Sequence, residues 1–314
     1  MAKIRFLCLI AVFLGVCALF LLWQLRDPKA LILSLRLTKL GALVVVGAAV
    51  GAATVVFQTI TANRLLTPGI VGFDALYIFL QTMLVMTLGG TGYATLPQLG
   101  QFGAEIVTMV VTALLLFGLM LRRGTEDMLR LILTGVILGV LLRGLAGLAQ
   151  RLLDPSEFAI VQGASFASFG GVDKTQLWIA MVLLAVTLLF AMRLSRQLDI
   201  VALGRTTARS LGLEYDRVVL ASLALVALLV AVSTALVGPV TFLGLLAASL
   251  AYAFVPTWRH IYLIPAAALI GASILIFGQF VFERLLGLQS TLAVIVEFAG
   301  GLLFLALVLR RSPR

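Results

Sequence analysis

Apolar residues in this chain are gathered into long runs, and polar residues are confined to the gaps between them. An α-helix rises 1.5 Å per residue, so a run of roughly 20 apolar residues matches a hydrocarbon layer about 30 Å thick. About ten such runs can be read: Ile4–Trp23, Leu40–Ala62, Ala75–Gly90, Ala104–Leu121, Leu129–Gln150, Leu177–Leu194, Val218–Gly238, Val240–Pro256, Ile261–Phe282 and Thr291–Leu309. The pattern predicts an all-α, polytopic membrane protein, residues 1–314 forming one transmembrane unit with no soluble domain at either end.

The polar gaps set the orientation. Cytoplasmic loops are enriched in lysine and arginine, and an N-terminus placed inside puts the larger share of the basic residues there, including Arg310, Arg311 and Arg314. The most basic gap, Ser195 to Val218, follows Arg193 and holds Arg196, Arg205, Arg209 and Arg217 among Asp199, Glu214 and Asp216. It is too polar to enter lipid. Thr206 and Thr207 can cap a short helix that ends at Gly212, with Ala202, Leu203, Ala208, Leu211 and Leu213 as an apolar stripe. Such a helix can dock a cytoplasmic partner, or the gap can be a solvated loop that carries topology charge.

Composition narrows the function. Of the 314 residues, 62% are hydrophobic and 11% charged, and the mean hydropathy is +1.18, more apolar than a soluble core requires. The net charge of +10 sits at the ends of apolar runs, so it reads as topology and not as a nucleic-acid surface. Cys8 and Cys17 share one run on opposite helix faces and cannot bridge. A single histidine, His260, excludes histidine-based metal clusters, and no cofactor is expected. No GxxxxGK[ST] phosphate loop occurs, so any ATP-driven transport needs a separate ATPase chain. An intramembrane serine protease, suggested by Gly163-Ala164-Ser165, lacks a histidine at membrane depth; a short interfacial helix between Asp154 and Gln176 is expected instead. Stretches such as Gly41–Ala53 and Gly135–Gly147 are rich in small residues, which let helices approach closely. Arg143 and Glu297 fall within lipid depth, where a charge faces a partner or an aqueous cavity; they can pair with each other, or Arg143 can line a path for an anion. Glu105 and Asp74 read as caps at helix starts.

Three stretches resemble the permease subunits of binding-protein-dependent ABC importers for iron chelates and cobalamin. The first runs from Arg36-Leu37-Thr38-Lys39 through Gln58, Asn63, Pro68, Gly69 and Gly72. The second is ALGRTTARSLGLEYDRV, similar to the family's LG-x-x-x-A-x-x-LG through Leu203, Gly204, Ala208, Leu211 and Gly212. The third is GPVTFLGLLAASLAY, similar through Gly238, Pro239, Phe242, Gly244 and Leu245, although Ala248, Ser249 and Tyr252 replace the usual Pro, His and Arg. The chain looks most like the branch that imports ferric catecholate-type siderophores.

The resemblance implies the type II ABC importer permease fold in a bacterial cytoplasmic membrane, with both termini inside and no covalent step on this chain. It implies a coupling segment at residues 195–217 that docks a cytoplasmic ATPase dimer through Leu203, Gly204, Arg205, Ala208, Arg209, Leu211 and Gly212. Arg36, Lys39 and Arg284 match positions that dock a periplasmic or lipid-anchored binding protein. Gln58, Asn63 and Leu65 match the gate and pathway, to which Arg143 is added. Partners would be a second permease subunit, identical or not, the binding protein, a ferric siderophore and membrane lipid, with no nucleic acid. A cobalamin or haem importer of the same family is the alternative. An ion-coupled secondary transporter would call for midplane carboxylates and paired broken helices.

Overall fold

The computed structural model describes residues 2–24, 27–122, 128–285, 287 and 292–310. Its elements are α1 (Ala2–Leu22), α2 (Lys29–Ile60), α3 (Asp74–Thr95), α4 (Gln98–Arg122), α5 (Met128–Gln150), α6 (Pro155–Ala164), α7 (Lys174–Val201), α8 (Arg205–Ser210), α9 (Tyr215–Val237), α10 (Leu243–Phe254), α11 (His260–Phe280) and α12 (Leu292–Arg310), with wider helical turns at Gly69–Phe73 and Val281–Leu285. No strand occurs among the described residues. Eight helices among them are long and apolar enough to cross a membrane, with shorter apolar stretches at Leu243–Phe254 and Ile295–Ala306. Thr291 and the side chains of Arg310, Arg311 and Arg314 lie outside the described residues.

The bundle is built around α2, which packs against α1, α7, α9, α10 and α11. Small residues make the tightest of these crossings possible. A side chain on Gly47 would meet the backbone of Gly271 and Ala272, one on Gly51 the carbonyl of Ala267, and one on Gly271 the carbonyl of Gly47. The glycine-rich run read as a packing surface is therefore the place where α2 and α11 touch backbone to backbone.

Several expected boundaries shift, each for a physical reason. The 32 residues of α2 make it about 48 Å long, so its first turns project beyond the bilayer and carry Arg36 and Lys39 on a helix. The run Val240–Pro256 is not one spanning helix. Gly238 adopts φ +100° against the backbone of Ala164 and Ala167, and the Ser168 N–H donates to the Val237 carbonyl at 2.8 Å. The chain then re-enters non-helically as far as Phe242, and α10 has only 12 residues, about 18 Å. Non-helical backbone at such depth requires cover from protein or an aqueous cavity.

Between Asp154 and Gln176 lies the short helix α6. Glu157 accepts the Asp154 N–H at 3.3 Å as half of a capping box and the Gly90 N–H at 3.0 Å, beside the kink where Gly89 takes φ +71°. The next helix, α7, is capped by Asp173, whose Oδ1 accepts the N–H groups of Thr175 and Gln176 at 2.8 and 3.1 Å. Those two N–H donors pull the Asp173 carboxyl below its ordinary range.

Candidate functional site

The candidate elements lie at three depths. At one end of the bundle, α7 leads through Ala202-Leu203-Gly204 into α8, and Gly212 turns the chain into α9. Gly204 and Gly212 take φ +93° and +81°, the left-handed region that glycine enters without penalty. Gly204 occupies the position before the first helical residue, so Thr206 and Thr207 lie inside α8 and do not cap it. The expected stripe also divides. Ala208 is fully buried and Leu213 half-buried, while Ala202 is exposed and Leu203 and Leu211 are 58% and 61% exposed. Arg205 and Arg209 donate to Asp216 at 3.1 and 2.7 Å, and Arg217 pairs with Glu214. The segment is thus fastened through Ala208 and Asp216, with two leucines left bare.

Beside it, the end of α2 forms a hydrogen-bonded turn. The buried Gln58 donates through Nε2 to the Arg64 carbonyl at 2.7 Å. The Asn63 N–H donates to the Gln58 carbonyl at 3.2 Å, and the Leu65 N–H donates to Asn63 Oδ1 at 3.0 Å. Arg64 stacks its guanidinium 4.6 Å above the Tyr252 ring of α10, a cation–π contact. Gln58, Asn63 and Leu65 are therefore brought into one unit.

At membrane depth, Thr67, Pro68 and Gly69 line a cavity with Val50 and Thr54 of α2, roughly 9–15 Å above its inner end. Asp74, ten residues past Arg64, is buried in the same cavity and accepts from Thr241 Oγ1 at 2.8 Å. Glu297 of α12 and Arg143 of α5 both lie within electrostatic reach of Asp74. Among the described residues no ion pair joins Arg143 to Glu297. The two charges instead flank a carboxylate that reads in sequence as a helix cap. Arg143 is exposed on the surface of the bundle. Gly72, at φ +120°, lets this turn lie against Gly139 of α5.

Towards the opposite end of the bundle, Glu105 is interior to α4, not at its start, and is 8% exposed. It accepts from Gln81 Nε2 at 2.5 Å, and Tyr93 donates to Gln81 Oε1 at 3.2 Å. These residues line an open cleft, shared with Tyr77, Gln98, Gln101 and Gln176. At the rim of that end, Arg36 is 5% exposed and donates to the carbonyls of Leu21 (2.6 Å), Trp23 (2.8 Å) and Gln24 (3.4 Å). It clamps the α1–α2 connection. Lys39 pairs with Glu283, to which Gln279 also donates, and neighbouring Arg284 is exposed.

His260, Asp199, Thr241 and Glu283 carry no assigned role in the sequence pattern. The signal available for the first two was a lone histidine and an aspartate at the ends of two apolar runs. Their contacts bridge 61 residues of chain.

Comparison with known proteins places this geometry. The model of the FecCD transport family matches residues 3–310. The petrobactin import system permease protein YclO of Bacillus subtilis is 38% identical over 290 residues, covering 92% of this chain and 90% of that protein. The petrobactin import system permease protein FatC of Bacillus anthracis is 34% identical over 278 residues, covering 88% and 78% respectively. A solved structure, described as a metal-chelate type ABC transporter in an inward-facing conformation, superposes with a TM-score of 0.85 at 23% identity, over 98% of this chain and 99% of that one. With most of its length matched by the family's model and by such relatives, the chain belongs to the FecCD transport family, as a multi-pass permease of an ABC importer.

Proposed function

We propose that this permease pairs with a second permease subunit and carries a ferric siderophore, of catecholate type, across a bacterial cytoplasmic membrane by alternating access. A separate ATPase dimer docks at the α7–α9 connection, a substrate-binding protein docks outside, and both chain termini are cytoplasmic. The observation that carries the reading is Arg143, exposed on the bundle surface at membrane depth. An arginine facing lipid there costs at least about 2.5–3.5 kcal/mol. A second subunit across α5 and α12 would turn that face into a water-lined path and remove the penalty. An anionic chelate would meet Arg143 in the path, with its iron already wrapped, so no protein ligands to the metal are needed.

Leu203 and Leu211 support a cytoplasmic docking role, since two bare leucines beside a basic rim suit a groove on a partner. Of Arg36, Lys39 and Arg284, the candidates for docking at the outer face, Arg284 is the exposed one, with the Lys39–Glu283 pair beside it. The siderophore assignment is supported by likeness to the petrobactin permeases. The test is mass spectrometry of what co-purifies when the chain is expressed with its chromosomal neighbours, followed by uptake of ferric catecholate in proteoliposomes. Recovery of an ATPase and ATP-dependent uptake are expected. A partnerless chain, or uptake indifferent to ATP, rejects the reading.

A further inference from the structure

His260 is the first residue of α11 and is 3% exposed. Asp199 of α7 accepts from it twice at one oxygen: the His260 backbone N–H donates to Oδ1 at 2.8 Å, and ring Nδ1 lies 2.6 Å from the same atom. The Arg259 side chain makes no capping bond to α11, and Asp199 supplies from another helix an acceptor for the first turn. On its other side, His260 Nε2 shares a hydrogen bond of 2.7 Å with Thr59 Oγ1, in the last turn of α2. The Tyr252 ring lies under Arg64, at the turn that follows α2.

The order Asp–His–Thr has the outline of an acyl-transfer triad. The surroundings do not support that chemistry. Thr59 Oγ1 is also bonded to the Val55 carbonyl at 2.8 Å, and it lies within a helix whose N–H groups are engaged with preceding carbonyls, leaving no oxyanion donors.

What the three residues do connect is two ends of the molecule's working parts. Asp199 stands two residues before the end of α7, at the root of the segment that leads into α8. Thr59 is next to Gln58, from which the Asn63–Leu65 turn is hung. We propose that His260 is a positioning residue that ties the root of the cytoplasmic docking segment to the turn at the end of α2, so that movement of the docked segment is transmitted to that turn. This inference rests on the importer reading above. Displacing α8 by a partner pulls Asp199, and the buried imidazole passes the displacement to α2 because it has a bonded neighbour on both nitrogens. A chain of packed, bonded groups with two arrangements is the physical form that coupling between sites takes.

The test uses the complete importer in proteoliposomes, with ATP hydrolysis and uptake of ferric catecholate measured on one preparation and normalised to assembled complex. Thr59→Val keeps the shape of threonine and removes the hydroxyl; His260→Ala removes the link. Both are expected to raise the ATP hydrolysed per chelate imported by about tenfold, within the usual span of site-to-site coupling, with complex assembly unchanged. Thr59→Ser, which keeps the hydroxyl, is expected to restore the wild-type ratio. A merely structural role would lower hydrolysis and uptake together and leave the ratio unmoved. A ratio within about twofold of wild type in Thr59→Val overturns the proposal, and that variant decides alone if His260→Ala fails to accumulate. Wild-type complex with no ATP-dependent uptake overturns the importer reading along with it. Coupled wild type with coupled variants overturns only the role of His260.

Discussion

Replacing Gly47 by alanine tests the scaffold on which every functional element is mounted. The added Cβ would stand 2.5 Å from the Ala272 N and Cα atoms and 2.6 Å from the Gly271 carbonyl carbon. Ordinary contact begins near 3.4 Å, and the obstacles are backbone, so no side chain can rotate away. The two helices must part by about 1 Å, a gap that forfeits a quarter to a half of each dispersion contact along the crossing. Overpacking of this kind costs about 1–3 kcal/mol. At the denaturant concentration where the wild type is half unfolded, the variant would then be about 5- to 150-fold more unfolded than folded. Equilibrium unfolding in mixed micelles, with dodecyl sulfate as denaturant, reads this directly. Gly15→Ala is the control, because nothing lies within 4 Å of that position and the better helix former adds up to about 1 kcal/mol. The two substitutions are expected to move the midpoint in opposite directions. A Gly47→Ala midpoint at or above the wild type would refute the backbone-to-backbone crossing.

Three further outcomes can be checked. Gly204→Val and Gly212→Val meet no obstacle but force a branched residue into left-handed backbone at roughly 1–2 kcal/mol; the permease should accumulate normally while co-purified ATPase or coupled uptake is lost, and normal coupling counts against docking there. Arg143→Ala should lower kcat/KM for an anionic chelate in proteoliposomes. In double-mutant cycles Arg143 should couple to Asp74→Asn by at least about 0.5 kcal/mol and not to Glu297→Ala; the reverse pattern restores a direct Arg143–Glu297 pair. Arg284→Glu should weaken capture of the binding protein more at 0.01 M salt than at 0.15 M, as the screening length falls from about 30 to 8 Å, and salt-independent capture rejects an ionic contact at that position.

The helical runs were legible because the bilayer dictates length, and a run such as Tyr215–Val237 has no other way to satisfy its backbone. The small residues around Gly47 were legible as a packing face for the same reason. What escaped was backbone irregularity inside apolar sequence. Val240–Pro256 is as hydrophobic as a true span, and only the φ of Gly238 with the Ser168–Val237 hydrogen bond shows that its first residues return into the bundle unwound. Arg36 shows a second limit. Hydropathy fixes where lipid ends, not where a helix ends, so a residue carried on α2 beyond the membrane resembled one in a loop. In the structure its guanidinium serves three carbonyls of its own chain.

Polar residues inside the bundle escaped for a third reason: their meaning lies in partners far along the chain. Asp74 alone is an acidic residue at a helix start, and Glu105 alone is another. Thr241 lies 167 residues from the first, and Gln81 lies 24 residues from the second. A buried carboxylate has to be hydrogen-bonded, so each marks a place where two helices are registered against each other. The three sets of polar contacts occupy different depths and join different helices: Asp199–His260–Thr59 joins α7, α11 and α2, Asp74–Thr241 joins the start of α3 to the approach to α10, and Glu105–Gln81 joins α4 to α3. An alternating-access permease must keep some of these contacts in both states and exchange others. The glycine crossing of α2 and α11 is backbone-tight at Gly47 and Gly51, but Thr59 lies about 12–18 Å further along α2, so the helix ends beyond the crossing are held to each other by the His260–Thr59 bond. Asp74, by contrast, is held by a hydroxyl on an unwound segment.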